Sequence, residues 1–219
     1  MSRLKKIERN GRTVLLTRNL APGLRVYNED LLQVDGHEYR TWDPFRSKLA
    51  AAILKGLPED VIKEGEGVLY LGTSTGTTSS HVSDLVGERG RLIGIEFAPR
   101  VAREFVEKVA RVRKNVIPYV TDARYPGKFG TMGSVDVVYC DIAQQDQTDI
   151  AVANCRSHLK EQGLLLLVVK SRSIDVIRDP KEIFEEEKRK LELAGLNVIR
   201  VVELSPYDKD HAIILARMP

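Results

Sequence analysis

Val68-Leu-Tyr-Leu71, the turn Gly72-Thr-Ser-Thr-Gly76 and the run Thr77-Thr-Ser-Ser-His-Val-Ser-Asp-Leu-Val86 decide the fold. Four consecutive apolar residues read as a strand buried on both faces, because a half-exposed strand would alternate with polar residues. The glycine-bracketed turn then feeds a helix through Val86. Outward from this unit the pattern repeats. Leu92-Ile-Gly-Ile95, Val116 to Val120, Val135 to Cys140 and Leu164 to Val169 read as further strands. Helices are expected over Ser47 to Leu57, Pro99 to Val112, Thr148 to Leu159 and Pro180 to Ala194. Val198 to Leu204 and Ala212 to Ala216 close the chain as two strands. Their link, Ser205 to Asp210, is too short for a parallel crossover, so they should pair antiparallel.

Alternating buried strands and helices imply a mostly parallel sheet covered on both faces, here with an antiparallel last strand. That arrangement is expected of the Rossmann-like class I methyltransferases, an α/β fold. Residues 1–43 read differently. Thr13 to Thr17 is a short strand, and Leu31 to Val34, Asp35-Gly36 and His37 to Trp42 form a hairpin on a two-residue turn. The chain divides on this reading into a small β-rich subdomain, 1–43, and a Rossmann-like domain, 44–219.

Composition narrows the class. Of 219 residues, 42% are hydrophobic and 30% charged, enough for a normal core. No run approaches a membrane span, and Met1 to Glu8 lacks the apolar region of a secretory signal, so a cytoplasmic location away from membranes is expected. Cys140 and Cys155 have no CxxC spacing, and His37, His81, His158 and His211 are scattered, which supports neither a disulfide nor a metal site. Net charge is 34 − 31 = +3, permitting a nucleic-acid partner without requiring one.

In such sheets ligands bind at the carboxyl ends of the strands. Gly72 to Thr78 follows the first core strand, where glycines admit close backbone approach and a helix offers free N–H groups. The turn fits a dinucleotide fingerprint poorly, since Ser74 and Thr77 stand at its second and third glycine positions. It also spells G-T-S-T-G, a hydrolase nucleophile elbow with Ser74 as nucleophile and with Asp175 and His211 in the right chain order. Glu96 ends the next strand, where a carboxylate accepts both hydroxyls of a ribose. Asp122 follows the third strand, placed to accept an adenine amino hydrogen or to cap an Asx-turn. Asp141 is the fourth such residue. Lys170 ends a strongly apolar strand, suited to proton-transfer work or to snorkelling.

The segments Trp42-Asp-Pro-Phe-Arg-Ser-Lys48, Val68 to Gly72 with Gly76-Thr-Thr78, and Ser80 to Val86 resemble fibrillarin. So do Gly94-Ile-Glu-Phe97, Asp141-Ile-Ala-Gln144, Val169-Lys-Ser-Arg-Ser-Ile-Asp175 and Pro206-Tyr-Asp-Lys-Asp-His211. The likeness runs from about Leu20 to the C-terminus and is of the archaeal type. It implies an S-adenosylmethionine-dependent, guide-RNA-directed ribose 2′-O-methyltransferase acting on rRNA and tRNA within a C/D-box ribonucleoprotein. A Nop-domain scaffold protein and a kink-turn-binding ribosomal-type protein are the implied partners, and an assembly subunit without turnover is the competing reading. Implied cofactor positions are Gly72, Gly76, Thr77, Thr78, Glu96, Phe97, Asp122, Ala123, Asp141, Ile142, Ala143 and Gln144. The implied catalytic group is Lys48, Asp141, Lys170 and His211.

Overall fold

The computed structural model describes residues 3–219. Four strands make a small antiparallel sheet: β1 (Leu4–Arg9), β2 (Arg12–Arg18), β3 (Leu31–Val34) and β4 (His37–Trp42), in the order β1-β2-β4-β3. Both hairpins turn on two residues with positive φ, Asn10-Gly11 (52° and 69°) and Asp35-Gly36 (49° and 74°). Those angles match the twist of the flanking strands, as type I′ turns do. The second hairpin is the one expected. β1 was not, because Lys5, Lys6, Glu8 and Arg9 hide its single buried residue, Leu4.

Seven strands form the main sheet: β5 (Gly67–Leu71), β6 (Arg91–Glu96), β7 (Val116–Val120), β8 (Val135–Cys140), β9 (Leu159–Lys170), β10 (Asn197–Glu203) and β11 (His211–Arg217). Their order is β10-β11-β9-β8-β5-β6-β7, and all run parallel except β11, which is antiparallel to both neighbours. The last strand is thus inserted between β9 and β10, and β10 takes the edge. β9 starts earlier than expected. Leu159 pairs with Val135, and the register then jumps to Leu164 opposite Val137, leaving Lys160 to Gly163 looped out with Gln162 at φ 60°.

The helices are α1 (Lys48–Leu54), α2 (Thr77–Val86), α3 (Pro99–Phe105), α4 (Gln147–His158), α5 (Ser171–Ile174) and α6 (Pro180–Leu193). α3 runs into one π turn, Val106–Ala110, where a continuous α-helix to Val112 was expected. α1 stops three residues early because Gly56 turns the chain at φ 102°. Among the described residues no helix is long and apolar enough to cross a membrane.

Alternate residues of each buried strand serve opposite cores. Val68 and Tyr70 face α1, α2 and α3 with Leu49, Val82 and Phe105. Leu69 and Leu71 face α4 and α6 with Ile150, Cys155 and Phe184. The small sheet is not a separate core, since Leu4, Leu15 and Trp42 belong to the first cluster. A buried polar network completes this seam. Arg40 Nη1 lies 2.8 Å from Asp84 Oδ2, and Arg40 Nη2 lies 2.6 Å from Glu29 Oε1. Asp84 also accepts from the Thr17 hydroxyl and the Leu20 N–H, each at 3.0 Å, and faces Arg113 at 3.5 Å. His81 stacks on Trp42 and shares hydrogen bonds with Thr17 and Tyr27. Burial, with Arg40 and Arg113 nearby, pushes the imidazole pKa well below its ordinary value, so His81 is neutral.

Removing one partner of a buried ion cluster strands the remaining charges. Asp84→Ala should therefore cost about 3–5 kcal/mol of unfolding free energy in a denaturant titration. A loss below about 1 kcal/mol would show that the network does not hold the two sheets together.

Candidate active site

The parallel register aligns the strand ends into one edge. Leu71 lies beside Ile95 and Cys140, Cys140 beside Leu167, and Glu96 beside Val120. The residues that follow therefore share a cleft of about 310 Å³. Gly72, Glu96, Phe97, Asp122, Ala123 and Asp141 through Gln144 line it, together with Lys170. At Gly72, φ is 82° and a Cβ would sit 2.7 Å from the Asp141 carbonyl oxygen, so only glycine lets the ends of β5 and β8 cross this closely.

Gly76 and Thr78 also make contacts within the fold. Gly76 (φ 103°) is a packing glycine, since its Cβ would meet Val109 Cγ2 at 2.4 Å. Gly76, Thr77 and Thr78 are not among the residues lining the cleft. Thr77 opens α2, which no side chain caps. The Thr78 hydroxyl donates to Ser47 Oγ at 3.0 Å, and Ser47 is the N-cap of α1. Thr78 thereby ties the two helix starts together and fixes the residue after Ser47, which is Lys48.

Glu96 is held by two backbone donors, Ser74 N–H to Oε2 at 2.8 Å and Ala98 N–H to Oε1 at 3.0 Å. Each carboxylate oxygen keeps a free lone pair, so a vicinal diol can still be accepted. Phe97 leaves an exposed ring beside it (69% accessible). Asp122 proves to be an Asx-turn cap, accepting the Arg124 N–H at 2.9 Å through Oδ1, while still lining the cleft. Asn154 supports this turn from below by donating to the Ala123 carbonyl at 2.9 Å.

The four residues of the expected catalytic group lie around the end of β8. Lys170 Nζ lies 2.8 Å from Asp141 Oδ1 and donates to the Asp141 carbonyl at 3.2 Å. Lys48 Nζ lies 3.6 Å from Asp141 Oδ2. His211 sits directly opposite Lys170 in the sheet because antiparallel β11 starts where β9 ends. Among the described residues, His211 makes no hydrogen bond or ion pair with Asp141. It reaches the group through Asp208, with Nδ1 2.8 Å from Asp208 Oδ1, while Asp208 Oδ2 lies 3.8 Å from Lys48.

A hydrolase triad does not assemble. Asp175 caps the Ile177 and Arg178 N–H groups, and His211 faces Asp208, so neither is available to Ser74. Cys140 is a core residue whose thiol pKa is pushed up to about 12 by burial.

The family model described as Fibrillarin matches residues 4–219. The chain belongs to the fibrillarin family. A fibrillarin-like rRNA/tRNA 2′-O-methyltransferase of Saccharolobus islandicus is 53% identical over 204 residues, 93% of this chain and 88% of the relative. The crystal structure of Aeropyrum pernix fibrillarin with natively bound S-adenosyl-L-methionine superposes with a TM-score of 0.87 at 43% identity, covering 99% of this chain and all of the other. The fibrillarin chain of a fibrillarin/Nop5p complex gives 0.88 at 36% identity, covering all of this chain and 99% of that one.

Two residues that tie the site together, Arg124 and Asp208, escaped the sequence reading. Arg124 spans the cleft rim, bidentate to Asp146 (2.9 and 3.1 Å) and bonded to Gln144 Oε1 at 2.9 Å, so it joins the Asp122 turn to the loop after Asp141. No spacing signal reveals such a strap. Asp208 was within reach, because Asp208 and His211 stand three residues apart in a segment already singled out. Burial alone would raise the Asp208 carboxyl pKa, but His211, Lys48 and Lys170 bring it below its ordinary value of 3.8. A depressed carboxyl stabilises the fold above its unfolded pKa, and that contribution is lost as pH falls through the lower folded value. Asp208→Asn should remove this acid-side dependence in unfolding titrations between about pH 2 and pH 6. An unchanged acid limb would mean that Asp208 is not held by these cations.

Proposed function

We propose that this chain is the catalytic subunit of a C/D-box ribonucleoprotein, transferring a methyl group from S-adenosylmethionine to ribose 2′-hydroxyls of rRNA and tRNA under guide-RNA direction. The observation that carries the reading is Asp141, placed at the mouth of a nucleoside-sized cleft with Lys170 on one oxygen and Lys48 on the other. The relative's name supports the reaction, the A. pernix complex supports the cofactor, and the fibrillarin/Nop5p complex supports a Nop-domain scaffold. A kink-turn-binding ribosomal-type protein completes the particle by the same resemblance. The site of action is the cytoplasm. The small sheet (1–43) serves as a fixed collar on the methyltransferase domain (44–219), consistent with its share in the common core.

The residues fit the cofactor. Glu96 offers a preset carboxylate for a ribose diol, Phe97 offers a flat exposed face for adenine, and Gly72 leaves the space a Cβ would fill. The cleft volume is in the range of small-ligand sites. Bound there, S-adenosylmethionine supplies an electrophilic methyl carbon on a sulfonium. The protein then has to align the acceptor oxygen and help its proton leave. Asp141 accepts a hydrogen bond from the 2′-hydroxyl. The two lysines, which donate and cannot accept when protonated, hold the carboxylate from both sides and face the RNA phosphates. His211 orients Asp208, which in turn positions Lys48.

The reconstituted particle, tritium-labelled in the donor methyl, should label a guide-matched RNA and fail on the same RNA carrying a 2′-deoxy target. Asp141→Ala should lower the rate roughly 100- to 10,000-fold while the protein stays folded. Equal label in both RNAs would move the acceptor atom. Near-normal transfer by the variant would remove Asp141 from its role, and cofactor binding without any label would favour an assembly subunit.

A further inference from the structure

Five residues other than glycine have positive φ among the described residues. Asn10 and Asp35 turn hairpins, Gln162 sits in the looped-out stretch of β9, and Asp210 is held by Ser171 and Arg172. The fifth, Ser74 at φ 52°, lines the cleft. It is also the serine of the G-T-S-T-G turn, left without a nucleophile's role because no triad assembles around it.

The left-handed region favours glycine, so a side chain kept there at the edge of a site points to a use for that side chain. Ser74 is exposed, and its hydroxyl makes no hydrogen bond among the described residues. Its N–H donates to Glu96 Oε2 at 2.8 Å. In two of the three staggered rotamers a serine oxygen lies about 3 Å from its own nitrogen, so Ser74 Oγ comes within about 6 Å of that carboxylate oxygen. A ribose hydroxyl joining the two through bonds of about 2.8 Å spans such a gap. Thr121 also lines the cleft, but its N–H meets the Glu96 backbone carbonyl at 3.1 Å and not the carboxylate.

The chemistry asks for a donor beside Glu96. An ionised carboxylate only accepts, so a diol seated on it gives both hydroxyl protons and keeps oxygen lone pairs that can still accept. The cationic donors of the cleft already face carboxylates, Lys170 at Asp141 and Arg124 at Asp146. We propose that the Ser74 hydroxyl donates a hydrogen bond to one ribose hydroxyl oxygen of the bound cofactor, so that Ser74 and Glu96 hold the diol together. The inference deepens the cofactor reading above and rests on it. Glu96 recognises the protons of the diol and Ser74 recognises an oxygen. A nucleoside lacking that hydroxyl therefore loses two bonds instead of one, which sharpens the choice of ribose over deoxyribose.

The test is titration calorimetry of the whole chain with S-adenosylhomocysteine and with its 2′-deoxy and 3′-deoxy ribose analogues. Ser74→Gly and Ser74→Ala both remove the hydroxyl and leave the N–H that holds Glu96. Each variant should bind S-adenosylhomocysteine roughly three- to tenfold more weakly than the wild-type chain, the effect of one neutral hydrogen bond. With the analogue that lacks the bonded oxygen, all three proteins should bind alike, and with the other analogue the loss should persist. Wild-type affinity in both variants overturns the proposal. An undiminished loss with both analogues places the hydroxyl's contact away from the diol and overturns it too. A loss confined to Ser74→Ala, absent where glycine relaxes the left-handed backbone, would be a strain effect and has the same consequence. Failure of the wild-type chain to bind S-adenosylhomocysteine would sink the cofactor reading itself, whereas normal binding with unaffected variants sinks the role of Ser74 alone.

Discussion

Everything at the site depends on where the chain puts Asp141. Its backbone leaves β8 against the end of β5, and the crossing is possible only because Gly72 has no Cβ to strike the Asp141 carbonyl. The side chain then lies between Lys170, delivered by β9, and Lys48, delivered by the first turn of α1. β5 and β8, three strands apart in sequence, meet there because they are neighbours in the sheet. A parallel sheet makes this possible by ending all its strands at one edge. The antiparallel β11 adds His211 to that edge because it starts where its neighbours finish.

The small sheet has a place in the same logic. Its core residues and the Arg40–Asp84–Glu29 cluster clamp it against α2, whose first turn is tied through Thr78 to Ser47. Since Ser47 caps α1, the seam fixes the origin of Lys48. Buried ion clusters add little net stability compared with apolar packing, but they restrict the arrangement, because only one geometry satisfies every partner. His81 illustrates this. Stacked on Trp42 and bonded on both ring nitrogens, it is spent on the seam and is not a catalytic histidine.

The fold was legible because buried parallel strands announce themselves as unbroken apolar runs, and β7 and β8 fall at the expected residues. What escaped was decided by tertiary context. β1 is too charged to show a pattern, and the π turn after α3 follows packing against Gly76, where Val109 leaves no room for a Cβ. In the site, strand-end residues were found because their position in the chain predicts their position in space. Thr78 qualifies that rule, since its hydroxyl is bonded to Ser47 within the fold. Asp122 caps its Asx-turn and still lines the cleft. Arg124 acts through contacts 20 and 22 residues along the chain that no local spacing encodes, whereas the Asp208–His211 pair is local.

The charges around the acceptor position are largely paired before any RNA arrives. Lys48 and Lys170 face Asp141 and Asp208, Arg172 pairs with Asp210, and Arg124 with Asp146. Affinity for a phosphate backbone comes from cations free to displace counterions, and lysines already facing carboxylates contribute little of it. With a net charge of only +3 over the whole chain, this surface has a weak electrostatic hold on arbitrary RNA. An enzyme so arranged positions a ribose accurately once it is presented but does little to capture it. On the proposed reading, capture and choice of nucleotide fall to base pairing and to partner proteins. That division follows from the same ion pairs that hold Asp141 in place, because a lysine cannot both clamp a carboxylate and grip a phosphate at full strength.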